Sequence, residues 1–344
     1  MRVILFQTED FLILSYPAML LLAVVAALVT LAWRIRRTSL DHSAVLIPLV
    51  VAVLIGWLGS RLAAGLINGN SGGFSFRLLL PTEHVPGSFS IFIAIALPIL
   101  LLGLWHQRTG VWVCLDVLAP SALAALAVAK VGCLLAGCCA GAECPADWGI
   151  RYPYGSRPYA MQVEAGRITP PQALLRTDEH GNARLFGHVD FLEGVRHAPH
   201  EELAKHAEEY GLTYSEMVAL AESERSAPVW PVPVFYTISS GILWLLAEII
   251  FARSSRAGWT SATVLIAYAV MRLAFDPFLS EPLRAGTGMV LARTAALMSL
   301  VGGVGLVILC MLGRTPETRG KESKESTRYA DAQRTPRQGV RDDL

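Results

Sequence analysis

Residues 11–33 read FLILSYPAMLLLAVVAALVTLAW, and Arg34, Arg36 and Arg37 follow at once. No charge interrupts the run. A bilayer's hydrocarbon core, about 30 Å thick, takes roughly 20 apolar residues in a helix to cross, so this stretch reads as a membrane span. A secretory signal carries its cations before the apolar run and a small-residue cleavage site after it. Here the order is reversed, which predicts a retained anchor.

Working outward, the same reading finds six more spans: Ser43 to Ser60, Ser88 to Trp105, Val111 to Gly137, Pro231 to Phe251, Trp259 to Leu279, and Gly288 to Leu312. Composition agrees. Of 344 residues, 53% are hydrophobic and 17% charged, against about 25% charged in an ordinary soluble domain. Mean hydropathy is +0.46. A net charge of +1 lacks the basic excess that nucleic-acid binding needs, so no nucleic-acid partner is expected. The predicted fold is an all-α polytopic membrane protein of seven transmembrane helices.

The short loops orient it. With the N-terminus outside, Arg34, Arg36, Arg37, Arg108, Arg253, Arg256 and the basic tail face the cytoplasm, while the short outer loops carry little beyond Arg77 and Arg284. The chain then divides into helices 1–4 (11–137), an extracytoplasmic head insertion (138–230), helices 5–7 (231–312) and a cytoplasmic tail (313–344). The tail is nearly free of large apolar residues and is expected to be disordered. Within the head, Leu203, Tyr210 and Met217 recur about every two turns and predict one amphipathic helix from His200 to Glu224. No repeat at a fixed period is visible.

An ion in a bilayer costs ~3 kcal/mol on insertion scales and is a functional hypothesis by default. Arg272 and Asp276 stand at i and i+4 in the sixth span, on one helix face. They read either as a self-neutralising pair or as an anion-binding Arg272 oriented by Asp276. Arg61 ends the second span and Lys130 lies in the fourth; both also have the length to snorkel outward, as does Arg293 in the last. Cations near one face suit an anionic headgroup better than a proton relay, which would use chains of Asp, Glu and His. The eight histidines, five of them in the head, read as solvated surface groups. No metal-ligand spacing and no cofactor signature appears, and none is inferred. Cys133, Cys138, Cys139 and Cys144 follow C-x4-C-C-x4-C, which is not the paired spacing of a zinc site. At an oxidising face they allow a disulfide, with Cys144 as a partner; equally, they read as small side chains packing a tight turn beside Gly132, Gly137 and Gly141.

Several of these residues together resemble a known signature. Lys130-Val-Gly-Cys-Leu-Leu-Ala-Gly-Cys-Cys-Ala-Gly141, followed by Trp148-Gly-Ile-Arg-Tyr-Pro153, is similar to the signature of prolipoprotein diacylglyceryl transferases, and most to a branch with a G-C-x3-G-C-C-x-G core. Gly59-Ser-Arg-Leu62, Gly87-Ser-Phe-Ser90, Pro228-Val-Trp-Pro-Val-Pro-Val-Phe-Tyr236 and Tyr268-Ala-Val-Met-Arg272-Leu-Ala-Phe-Asp276 match further motifs in order. The family has seven spans with the N-terminus outside and lies in the bacterial inner membrane.

The resemblance implies transfer of a diacylglyceryl group from phosphatidylglycerol to the lipobox cysteine of a preprolipoprotein. A thioether forms and glycerol 1-phosphate leaves. It assigns catalysis to Arg272 and Asp276, and substrate binding to Arg61, Lys130, Gly132, Gly137 and Tyr268. This chain departs from the pattern at named places. Asp276 replaces a glutamate, Lys130 an arginine and Cys133 an asparagine. Phe92 stands where the family has the histidine of G-G-x-S-x-H, and Trp230-Pro-Val-Pro-Val-Phe235 replaces H-P-x-Q-L-Y. His84 is a stand-in base only by its place just before Gly87. Those losses define the alternative: a catalytically silent paralogue that binds phospholipid or a membrane partner. A small-molecule transporter fits less well, since broken helices in two symmetric halves are not visible.

Overall fold

The computed structural model describes residues 4–7, 12–38, 40–67, 89–107, 110–137, 141–145, 148–177, 183–186, 200–254, 256–279 and 287–313. The tail expected after Gly313 lies outside them.

Long apolar runs become helices, because a helix pairs every backbone polar group within its own segment. They are α1 (Ser15–Ile35), α2 (His42–Ile67), α3 (Phe89–His106) and α4 (Val111–Ala136). The head supplies α5 (Arg157–Glu164), α6 (His200–Glu209) and α7 (Tyr214–Ser223), and the chain continues as α8 (Val232–Arg253), α9 (Trp259–Phe275) and α10 (Thr287–Met311). Six of these (α1, α2, α4, α8, α9 and α10) are long and apolar enough to cross a membrane. The third expected span falls on α3, whose described apolar stretch, Ala94–His106, is shorter than those six. Exposed Leu21, Ile47, Ile242 and Val301 give these helices the greasy outer surface of a multi-pass membrane protein.

The expected first span begins too early. Leu12–Leu14 is a strand, β2, paired antiparallel with β1 (Ile4–Gln7) in the register Gln7↔Leu12. A short apolar run fits strand and helix equally. The helix starts at Ser15, with Pro17 in its first turn, where a missing N–H costs nothing.

Two compact units emerge. The first comprises Met1–Leu28, Ala122–Leu243 and Val270–Arg293; the second comprises Val29–Ser121, Trp244–Ala269 and Thr294–Leu344. In the second unit α2 and α3 pack through small residues. A Cβ on Gly56 would stand 2.7 Å from Ala96 Cβ, one on Gly59 2.6 Å from Ile95, and one on Gly103 2.8 Å from Pro48. The same unit buries a polar network. Fully buried Arg34 donates from Nε to Glu248 (3.0 Å) and from Nη1 to the Asp116 carbonyl (3.1 Å), and its guanidinium lies 4.0 Å from the Phe251 ring centroid. The Asp116 carboxylate accepts from Gly258 N (2.8 Å), Ser261 N (2.8 Å) and Ser261 Oγ (2.7 Å). One helix thereby caps the orphan N–H groups at the start of α9.

The head belongs to the first unit. Its core joins Tyr154, Tyr159, Leu174, Phe186, Leu203, Ala207, Met217 and Ala221. Beside it, β3 (Leu175–Thr177) pairs antiparallel with β4 (Ala183–Leu185). Burial, then the Glu224 carboxylate 3.1 Å away, pushes the Tyr159 phenol up, so it remains a neutral donor. The predicted single helix from His200 to Glu224 is two helices. Gly211 takes a left-handed φ of 70°, and Thr213 restarts the chain with a reciprocal capping box to Glu216. Hydrogen bonds from the Thr213 backbone and then its hydroxyl hold the Glu216 carboxyl below its ordinary range. Leu203 and Met217 are buried as expected, while Tyr210 is 45% exposed. His206 is no solvated surface group: it packs edge-on against Phe186 and at a tilt against Tyr210, each ring centroid 5.1 Å away.

The entering and leaving segments of the head form an antiparallel stalk. Its bridges are Glu143↔Val229, Ile150↔Val229 and Pro153↔Arg225, and Ala142 N donates to Phe278 O (2.7 Å) just beyond α9. At Gly141 the backbone runs so close to the Trp230 carbonyl that a Cβ would collide with it. Gly141→Ala is therefore expected to cost about 1–3 kcal/mol through forced backbone displacement. Gly241→Ala, where an added Cβ meets nothing within 4 Å, is expected to be neutral. Thermal unfolding of the two purified variants checks the contrast, and equal melting points would refute it.

Candidate functional site

Helix α9 ends because Pro277 cannot continue it, and the chain tightens into a 3-10 turn at Asp276–Phe278. That ending places Arg272 in the last turn, where a cation meets the negative end of the helix dipole, with Asp276 one turn further on. Both are buried, at 9% and 7% exposure. Arg272 Nη1 donates to Asp276 Oδ1. A second guanidinium completes the group: Arg293, in the second turn of α10, donates from Nε to Asp276 Oδ2 at 2.7 Å. Its side chain is 44% exposed. One carboxylate thus bridges two arginines, and the three groups together carry +1. Two charge-assisted bonds offset the desolvation of Asp276 better than one would.

Lys130 approaches from α4. Its Nζ lies 4.7 Å from the Tyr236 ring centroid, and Tyr236 packs edge-on against Phe275 at 5.1 Å, next to the arginine group in the chain. Aromatic rings line the turn beyond. Trp230 meets Phe278 (5.1 Å), Phe235 (6.3 Å) and the 75% exposed Trp148 (5.8 Å), and Phe235 meets Phe275 and Phe278, both at 5.8 Å. The arrangement supplies fixed positive charge beside an apolar aromatic wall, which suits an anion with a greasy body.

The remaining expected residues fall as follows. Gly132 is where α4 meets α1: a Cβ there would stand 2.8 Å from Met19 Cβ. Gly137 follows α4 and faces the Tyr152 ring. Tyr268 is half-buried one turn before Arg272. Arg61 is buried in the second unit, 5.7 Å from the Trp57 ring centroid. Phe92, in that unit too, is half-buried on α3. Cys144 is a buried free thiol and Cys133 is buried in α4. Cys138, Cys139 and His84 lie outside the described residues. Among the described residues no cluster of His, Cys, Asp and Glu could hold a metal ion.

Sequence reading missed two features. Arg293 passed as an outward-snorkelling side chain, although a charge inside the last span shortly after the Asp276 turn was the available signal. The Trp230 cluster carried none, since aromatic residues at a span edge occur in any membrane protein.

Residues 3–311 match the family model of prolipoprotein diacylglyceryl transferase. The phosphatidylglycerol–prolipoprotein diacylglyceryl transferase of Rhodopirellula baltica is 27% identical over 173 residues, covering 45% of this chain and 32% of that protein. The protein of the same name from Dehalococcoides mccartyi is 28% identical over 166 residues, 46% of this chain and 61% of its own length. The match therefore spans less than two thirds of either relative.

Proposed function

We propose a function that proceeds from one fact: this chain belongs to the prolipoprotein diacylglyceryl transferase family. The reading is that it binds phosphatidylglycerol and transfers its diacylglyceryl group to the lipobox cysteine of a preprolipoprotein in the bacterial inner membrane. One observation carries it: the buried Arg272–Asp276 pair at the end of α9, in an arginine group of net positive charge. In the reaction a sulfur–carbon bond forms as the carbon–oxygen bond to phosphate breaks. The thiol proton ends on the leaving phosphate, and glycerol 1-phosphate departs as the monoester. Arg272 is suited to that phosphate, since its fork matches two oxygens and its charge opposes the one growing on the leaving group. Lys130 adds a point charge.

The proposed topology has seven spans, with α3 among them, and the N-terminus outside. Arg34, Arg36, Arg37, Arg253 and Arg256, all in loops or span ends on the side assigned to the cytoplasm, support that orientation through the positive-inside rule.

A second reading is favoured by the Trp230 cluster. A ring packed against Phe235, Phe278 and Trp148 offers no base where the family pattern has histidine. This reading keeps the lipid site and omits the chemistry. Purified protein given phosphatidylglycerol and a lipobox peptide decides between them. Release of glycerol 1-phosphate with diacylglyceryl mass added to the peptide is the expected result. Lipid binding without either product would leave the silent paralogue.

A further inference from the structure

Arg293 lies outside every motif that carries the family resemblance, and its placement is particular. It reaches Asp276 through Nε alone. Among the described residues nothing else takes a hydrogen bond or ion pair from it. The two terminal amino groups of a guanidinium form a second, end-on fork, the one that grips two phosphate oxygens. In Arg293 that end belongs to a side chain 44% exposed, while Arg272 and Asp276 beneath it are buried. Asp276 therefore holds the Nε edge, and no described residue occupies the opposite end.

Charge sharpens the point. Arg272, Asp276 and Arg293 sum to +1, and without Arg293 the first two sum to zero. Without Arg293 the site keeps only the Lys130 point charge beside that neutral pair, a weaker basis for telling one phosphodiester headgroup from another. A +1 group prefers a headgroup of net charge −1 and repels the ammonium of a zwitterionic one, because like-charge juxtaposition disfavours the wrong partner.

We propose that Arg293 is the specificity-determining residue of the lipid site: its outward guanidinium end meets the headgroup phosphate and selects net-anionic phospholipid over zwitterionic phospholipid. The proposal rests on the reading of this site as a phospholipid site.

The test is competitive binding of phosphatidylglycerol and phosphatidylethanolamine, matched in acyl chains, to the purified full chain, read by native mass spectrometry. Arg293→Met and Arg293→Lys are compared with the natural protein. The expected result is a preference for phosphatidylglycerol that falls about tenfold in Arg293→Met, the scale of one lost hydrogen-bonded contact to a charged group. Arg293→Lys should keep part of it. The ratio is internal to each sample, so a loss of folded material cancels. An unchanged ratio in Arg293→Met overturns the proposal, and so does equal weakening of both lipids, which is what a purely structural neutraliser of Asp276 would give. If the natural protein shows no preference, the lipid-site reading fails with it. A preference that survives Arg293→Met removes Arg293 alone.

Discussion

Arg272→Ala is expected to abolish phosphatidylglycerol binding, and with it any transfer, by about a hundredfold or more, the order seen when one preorganised donor to a developing anion is removed. The deletion acts twice: it takes away the guanidinium proposed to meet the phosphate, and it leaves the buried Asp276 with Arg293 as its one remaining described partner. Arg272→Lys keeps the charge and loses the fork, so it should retain a fraction of the binding. Lipid binding by the purified variants is the measurement. An Arg272→Ala protein that holds phosphatidylglycerol as tightly as the natural chain would place the lipid elsewhere.

The second large effect concerns folding. Arg34→Met leaves Glu248 without its guanidinium and the Asp116 carbonyl without a donor, and breaking such a buried pair costs about 3–5 kcal/mol. Replacing both charges, as Arg34→Met with Glu248→Leu, is expected to recover most of that, because the pair stabilises little beyond what its own desolvation costs. Unfolding of the single and double variants in detergent checks this. If the double variant is no more stable than Arg34→Met alone, the network contributes through something other than mutual neutralisation.

Much of this molecule is readable in one dimension. A bilayer imposes a length and a polarity on each crossing segment, so α1, α2, α4, α8, α9 and α10 follow from apolar runs alone. Errors arose where that constraint is silent. Leu12–Leu14 is apolar but too short to choose helix over strand without its partner Ile4–Gln7. In the head, a two-turn spacing overruled local chemistry that was in plain sight: Gly211 followed by Thr213 and Glu216 is a stop and a start. The candidate site divides the same way. Arg272 and Asp276 sit four residues apart on one helix, so their pairing could be read directly. Arg293 meets Asp276 from the next helix, 17 residues on, and Arg34 meets Glu248 across 214 residues. Pairings of that kind depend on packing, which spacing does not encode. Glu248 was overlooked inside a span for want of a visible partner.

The stalk of the head has a practical consequence. Pro153 and Arg225 face each other across a single rung, so the chain leaves and re-enters the membrane-proximal part at neighbouring points. Whatever is strung between them closes a loop whose entropy grows only slowly with its length. The excursion can thus be trimmed, enlarged or swapped as a cartridge, without the turn that holds Asp276 registering the exchange.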